Sequence, residues 1–178
     1  MAASPAWFLT STVVATVLAT TANYVLKFVD ERRGRKSKGR IEALRIAVAL
    51  ERYAAECADV VGNQEAWVQG APFARPPSTQ IPSAPKLPEV DWQTLPVATS
   101  SRMIALENEL FLVTASLSEL ALIDADAAVE RARWFSGKYG LRALETAERL
   151  RVDFALMPLD LTSVEWDFRE QLRAEFQA

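Results

Sequence analysis

Residues 103–120 have the sequence MIALENELFLVTASLSEL, and this stretch decides the fold. Its large apolar residues recur at steps of three and four, which is the a/d pattern of a helix that packs along one side. They are Met103, Leu106, Leu110, Val113, Leu117 and Leu120. Phe111, Leu112 and Ala121 are expected to widen the buried face. The pattern predicts a helix over residues 102–123 that packs among several neighbours.

A second helix is predicted before this one, over residues 41–61. Its apolar residues again follow steps of three and four, and they are Ile46, Leu50, Tyr53, Cys57 and Val60. Gly62 and Asn63 are expected to interrupt the helix, and one further turn is expected to point Trp67 into the core.

Two more helices are predicted after residue 123, so the sequence favours an all-α domain of about four helices. The first covers residues 124–151 and follows its predecessor through a sharp turn. Gly137 and Gly140 are expected to kink or break it. The second begins after Thr162, whose hydroxyl is expected to form a capping box with Glu165.

The amino-terminal 26 residues contain no Asp, Glu, Lys or Arg. A helix of this length crosses a hydrocarbon core of about 30 Å, and Trp7 and Tyr24 are placed to lie at the two headgroup boundaries. We therefore predict a single transmembrane helix over residues 6–29, preceded by a short extracytoplasmic terminus, residues 1–5. A cleaved signal peptide fits less well, because its basic residues precede the apolar region, whereas here they follow it.

The basic collar, residues 27–40, holds seven Lys and Arg against two acids. These cations are Lys27, Arg32, Arg33, Arg35, Lys36, Lys38 and Arg40. The positive-inside rule places this end of the span, and the domain 41–178 after it, in the cytoplasm, as at a bacterial inner membrane. Residues 30–40 are predicted to be a juxtamembrane linker whose cations contact the headgroups of the lipid bilayer.

The connector, residues 71–98, contains seven of the nine prolines, which excludes a regular helix. Pro82, Pro85 and Pro88 keep the three-residue period of a polyproline II helix. Together with Trp92 they are a candidate docking site for a partner protein. The alternative is an extended connector laid over its own domain, with apolar anchors at Phe73, Ile81, Val90, Trp92 and Leu95.

The composition of the 178 residues excludes several classes of enzyme. The chain has no His, so it lacks the base of a Ser-His-Asp or Cys-His site and any imidazole ligand for zinc. Cys57 is the one cysteine and is expected to be a buried, inert thiol. Glu51 is the best carboxylate candidate, with Arg45 and Arg52 as neutralising neighbours, but the acids mostly alternate with Arg on solvent faces. We predict no catalytic residue, no metal and no cofactor.

These features favour a non-catalytic, membrane-anchored interaction or assembly module that binds a protein partner or a second copy of itself. Residues 41–178 hold thirteen Lys and Arg against twenty-one acids, a net charge of −8, which argues against a nucleic-acid partner. Two alternatives stay open. One is a membrane-active effector of a bacterial defence or toxin-like system, in which the Thr-rich span assembles into a leak. The other is a carboxylate-dependent metalloenzyme using Mg²⁺ or Mn²⁺.

Overall fold

The computed structural model describes the backbone of residues 6–160 and 167–177, and the side chains of residue 34, residues 37–160 and residues 167–175. This part of the chain contains four helices and no strand, which confirms the predicted all-α fold. The helices are α1 (Ala6–Val68), α2 (Val97–Ile123), α3 (Ala125–Asp153) and α4 (Phe168–Gln177), with one 3-10 turn at Trp92–Thr94.

The chain divides into two compact units, Met1–Gly39 and Arg40–Ala178. No described helix combines the length and the apolar character that crossing a membrane requires. The transmembrane helix predicted over residues 6–29 lies outside the residues whose side chains are described, so it stays a prediction. The backbone of residues 30–40, predicted to be a basic juxtamembrane linker, is helical within α1.

The second unit begins with the carboxyl-terminal part of α1, which runs seven residues past the predicted end at Val61. The predicted interruption at Gly62 and Asn63 is therefore wrong. Gly62 lies against the Gln171 side chain of α4. The Asn63 side chain, meanwhile, is held by the backbone of Arg75. These tertiary contacts offset the cost of about 1 kcal/mol for a glycine inside a helix.

The end of α1 is set by Gly70, whose φ of 71° is left-handed. The amide of Gly70 donates to the carbonyl of Trp67, and the amide of Ala71 donates to the carbonyl of Ala66. This pair of bonds is a Schellman motif, in which glycine takes the left-handed conformation without a Cβ clash. Trp67 is exposed in this last turn, so the prediction that it points into the core is wrong.

The predicted seam of α2 faces the core. Met103, Leu106, Leu110 and Leu117 are buried, and Val113 and Leu120 are half-buried. The helix begins at Val97, five residues earlier than predicted. Phe111 and Leu112 are exposed, so the expectation that they widen the buried face is wrong.

Asp124 forms the sharp turn that the sequence predicts between α2 and α3. It is the single residue between the two helices, and its φ and ψ of −148° and 98° are extended. Its carboxylate accepts a hydrogen bond from the amide of Ala127 at 3.0 Å, which caps the start of α3. The two helices then pack on each other.

Gly140 of α3 lies where α1, α3 and α4 pack closely together, and its lack of a side chain provides the space. A Cβ placed on it would lie 2.7 Å from Cβ of Cys57 in α1 and 2.8 Å from Cδ2 of Leu172 in α4. The break predicted at Gly137 and Gly140 is wrong, because α3 is continuous from Ala125 to Asp153. The glycines provide room for neighbouring helices, and that packing stabilises the continuous helix.

The core is one cluster to which α1, the connector, α2, α3 and α4 all contribute buried side chains. Helix α4 supplies Phe168 and Leu172, which are buried where it packs on α3. The predicted capping residues Thr162 and Glu165 lie outside the described residues. The four helices and the connector therefore close around one core, and the functional question becomes which surfaces remain uncovered.

Candidate interaction surface

The side of α2 that points away from the core carries a row of large apolar side chains. Each is between 57 and 89% exposed, and together they define the outer face of α2: Val97, Ile104, Phe111, Leu112, Leu122 and Ile123. Monomeric soluble proteins rarely expose contiguous apolar patches larger than a few hundred Å². Isolated exposed apolar residues need no explanation, but a row along one helix does.

Charge is nearly absent from α2. Four of its 27 residues are charged, namely Arg102, Glu107, Glu109 and Glu119. The carboxylate of Glu109 accepts a hydrogen bond from Arg142 of α3, so it belongs to the contact between these two helices. A helix that is apolar all round is normally covered on all sides. Phe111 and Leu112, which the sequence predicts to widen the buried face, are part of this exposed face instead.

The connector is fastened to α1 by polar contacts at its start. Asn63 donates to the carbonyl of Arg75 at 2.9 Å and accepts from its amide at 2.8 Å. The guanidinium of Arg75 also lies 2.5 Å from the carboxylate of Asp59. Further along, the Gln80 side chain donates to the hydroxyl of Ser118 in α2 at 3.2 Å. The connector thus contacts both helices.

Two apolar residues bury the connector in its own domain. Ile81 and Leu95 are buried members of the core. The predicted docking residues Pro82, Pro85 and Pro88 are half-buried, whereas Trp92 and Phe73 are exposed. Docking of a partner on the prolines stays a prediction, and the structure gives those residues contacts within the chain.

A cavity of about 410 Å³ lies between α1 and the connector. Its wall contains Ala49 and Tyr53 of α1 and residues 83–86 of the connector, with the charged side chains of Arg52, Glu56 and Lys86 around them. The three charged residues are exposed. We assign no ligand to this cavity.

Glu51, the best carboxylate candidate from the sequence, has a structural partner. Nε and Nη2 of Arg151 donate to its two carboxylate oxygens at 2.5 and 2.8 Å. Both residues are buried. The hydrogen bonds to Glu51 raise the pKa of Arg151, although burial acts in the opposite direction. Arg45 and Arg52, the neighbours expected to neutralise Glu51, are both exposed.

Other acids also pair with arginines across helices. Arg133 of α3 lies 3.0 Å from Glu65 of α1 and 2.6 Å from Glu175 of α4. Arg169 of α4 lies 2.5 Å from Glu148 of α3. Within the described residues, His, Cys, Asp and Glu do not gather in groups of three or more that could hold a metal ion. The acids described here therefore contribute to helix packing.

Cys57 is a buried free thiol in α1, as its place in the apolar stripe predicts. Burial raises the pKa of Cys57 to about 12. Burial also raises the pKa of Tyr53. Nucleophilic and redox cysteines act as thiolates, so Cys57 is unsuited to either role near neutral pH.

Of the predicted headgroup ligands, the structure describes the side chains of Lys38 and Arg40, and both are exposed. Arg40 donates from Nη2 to the carbonyl of Ala155 at 2.9 Å, just after α3 ends. The other predicted membrane contacts have no described side chains, and they are Trp7, Tyr24, Lys27, Arg32, Arg33, Arg35 and Lys36.

No family model, no curated protein and no solved structure matches this chain. Its function is therefore argued from its own surfaces. The strongest feature in the described part of the chain is the outer face of α2, an apolar row on a helix with little charge.

Proposed function

We propose that this protein is a membrane-anchored, non-catalytic assembly module that presents an acidic helical domain to the cytoplasm. The observation that carries the proposal is the outer face of α2, which stays exposed after the domain has closed its core. Large apolar surfaces of this kind mark sites of protein association. Its two ends, Val97 and Ile123, are the first and last residues of α2, so the face follows the whole helix.

The sequence supports the anchor and its orientation. Residues 1–26 contain no Asp, Glu, Lys or Arg, and the seven cations of the basic collar follow them directly. A span with its cations on one side inserts with that side in the cytoplasm. Tethering also confines the domains to a plane, which raises their effective concentration for each other.

The chemistry of the domain supports a non-catalytic role. Its best catalytic candidate, Glu51, is neutralised by Arg151 in a buried pair. The thiol of Cys57 is buried with its pKa raised to about 12. These two groups therefore contribute to packing and helix pairing.

The proposal is tested on the full chain in its own membrane. We expect the protein to sediment with membranes, to resist alkaline carbonate and to be released by detergent. Chemical crosslinking before solubilisation should give species larger than one protomer. A variant with residues 6–26 replaced by a poly-Leu span should give the same species, because the contact is assigned to the domain.

Two results would contradict the proposal. One is a chain that stays in solution after cell breakage without detergent, which would remove the anchor. The other is a chain that remains monomeric and unlinked in the membrane at its native abundance. Loss of the crosslinked species in the poly-Leu variant would show that the contact lies in the span instead of the domain. If expressing cells were also depolarised, the membrane-active effector would be the favoured function.

A further inference from the structure

Along the outer face of α2, large apolar residues recur every seven residues at Val97, Ile104 and Phe111, and Leu122 continues the same line. Starting at Val97, alternate steps of four and three run to Leu122. The residues on this outer seam are Val97, Ser101, Ile104, Asn108, Phe111, Ala115, Ser118 and Leu122, and all are exposed. Of these, Ser118 lies at the edge next to the connector, where its hydroxyl accepts the hydrogen bond from Gln80. A repeat of 3.5 residues keeps one line of side chains facing another helix. The occupant that this spacing fits is an α-helix.

We infer that the outer seam of α2 pairs antiparallel with the outer seam of α2 in a second copy of this chain. The inference deepens the proposed function and rests on it. In this arrangement the twofold axis lies between Asn108 and Phe111. Each seam residue faces a seam residue of the other copy, and the two residue numbers of a pair add up to 219. The pairs are Val97 with Leu122, Ser101 with Ser118, Ile104 with Ala115, and Asn108 with Phe111.

The sizes of these residues favour the antiparallel arrangement. It places the large Ile104 opposite the small Ala115, and it places Phe111 opposite Asn108. A parallel arrangement in register would instead stack Phe111 on Phe111 and leave Ala115 opposite Ala115. These two central pairs favour the antiparallel arrangement, because a large residue opposite a smaller one fills a layer more evenly than two large or two small residues do. The outer pairs, Val97 with Leu122 and Ser101 with Ser118, match residues of similar size and do not distinguish the two arrangements.

The outer face of α2 supplies most of the apolar area that a stable dimer needs. At about 100 Å² for an aliphatic side chain and about 200 Å² for an aromatic one, the outer face of α2 presents roughly 500 Å² of apolar surface. A standard interface buries about 800 Å² per partner, of which around two-thirds is apolar in homodimers. The four large residues of the seam itself, Val97, Ile104, Phe111 and Leu122, supply roughly 400 Å² of this apolar surface, and the flanking Leu112 adds to it.

Charge also favours this face as the contact between copies. The domain 41–178 carries a net charge of −8, so two copies repel each other over most of their surfaces. The outer seam itself contains no charged residue, and the charges that flank it are Glu107 on one side and Glu119 on the other. The copies can therefore meet here without bringing like charges into direct contact.

The arrangement is tested with single cysteines in the full chain, reconstituted in membranes or nanodiscs. Ser101→Cys and Ser118→Cys are made separately, mixed and treated with a short bifunctional maleimide. We expect a crosslinked dimer in the mixture and little in either variant alone. The wild type is the thiol background, because Cys57 is fully buried. Ser116→Cys mixed with Ser118→Cys is the control, since Ser116 is exposed on α2 but lies off the outer seam.

A second variant tests the energetic role of the face. Ile104→Glu should raise the dimer dissociation constant at least about tenfold, because each copy would bury an unpaired carboxylate. The core should be unaffected, since Ile104 is exposed, and an unchanged helical circular dichroism spectrum checks this. Met157→Glu is the matched control, because it introduces the same charge at another exposed apolar residue.

The outcomes separate this inference from the proposed function. Crosslinking of Ser101→Cys with itself would overturn the antiparallel arrangement. Assemblies that resist Ile104→Glu and give no link between the two cysteines would overturn pairing through α2 but leave an assembly module in place. Pairing through α2 would also be overturned if the outer face contacts a different protein or lipid, because the two cysteines would then stay unlinked. A full chain that is monomeric in the membrane would overturn both.

Discussion

Glu51 of α1 and Arg151 of α3 form a bidentate ion pair across 100 residues of sequence, with side chains about nine-tenths buried. The third donor of Arg151, Nη1, donates to the carbonyl of Met157 at 2.5 Å. One guanidinium therefore joins α1, α3 and the segment after α3. Because a buried charge is costly without its partner, this pair fixes how the helices are placed against each other.

Removing one partner of this pair should be strongly destabilising. We expect Arg151→Met to lower the free energy of unfolding by about 3–5 kcal/mol, because it leaves the Glu51 carboxylate buried and unpaired. Urea unfolding of the detergent-solubilised full chain, followed by tryptophan fluorescence, measures this. The double variant Glu51→Leu with Arg151→Met should recover most of the loss. Arg142→Met is the control. It removes the half-exposed pair with Glu109 and should lower the free energy of unfolding by only about 0–1 kcal/mol. Equal losses in Arg151→Met and Arg142→Met would contradict the prediction.

Gly140 should be intolerant of a single added methyl group. Although Ala favours helix by about 1 kcal/mol over Gly, the new Cβ would lie within 3 Å of Cys57 and Leu172. We expect Gly140→Ala to cost about 1–3 kcal/mol, measured by the same unfolding assay. Gly137→Ala is the matched control: there the nearest atoms belong to the flexible Glu175 side chain, so the loss should be smaller. A gain of stability in Gly140→Ala would show that the three helices are not in close contact.

Replacing Ala155 with glycine should stabilise the domain. It has a left-handed φ of 49°, and its amide bonds to the carbonyl of Val152 while the amide of Leu156 bonds to that of Arg151. This is the same motif that ends α1 at Gly70, but with a Cβ in the strained position. We expect Ala155→Gly to stabilise the domain by about 1 kcal/mol and to raise its melting temperature. An Ala-to-Gly change in the middle of α2, at Ala105, should instead destabilise it.

Stability should fall at alkaline pH through Cys57. Its pKa is raised to about 12 in the folded chain, so the neutral thiol stabilises the fold below its ordinary pKa of about 8.5, and this stabilisation is lost as the pH rises toward 12. Between pH 8 and 10 we expect the wild type to lose up to about 2 kcal/mol more than Cys57→Ala, in urea unfolding at each pH. Tyr53 is present in both chains, so its own ionisation cancels. Parallel pH profiles would contradict the prediction.

Most of the helices could be predicted from the sequence because their patterns are local. The steps of three and four from Met103 to Leu120 place those residues on one side of α2, and neighbours three and four apart meet whatever the rest of the chain does. Asp124 likewise ends one helix and caps the next through bonds within four residues of itself. The breaks predicted at Gly62 and Gly140 were wrong, because the effect of a glycine inside a helix depends on its contacts with other helices.

The candidate surface could be predicted only in part. The sequence showed that Phe111 and Leu112 are apolar and lie beside the seam, but it gave no reason to assign them to solvent. Their exposure depends on which sides of α2 are covered by α3 and the connector. The partner of Glu51 was equally hidden, since Arg151 is 100 residues away and nearer arginines were available.

The sequence alone determined the all-α class, the periodic face of each helix, the turn at Asp124 and the prediction of an anchored span with a basic collar. These features depend on composition and on neighbours within one or two helical turns. The tertiary structure decided that the face with Met103 is buried and the face with Ile104 is exposed, and that Arg151 neutralises Glu51. Those outcomes depend on which distant residues compete for the same space, and free energies of packing between helices set them.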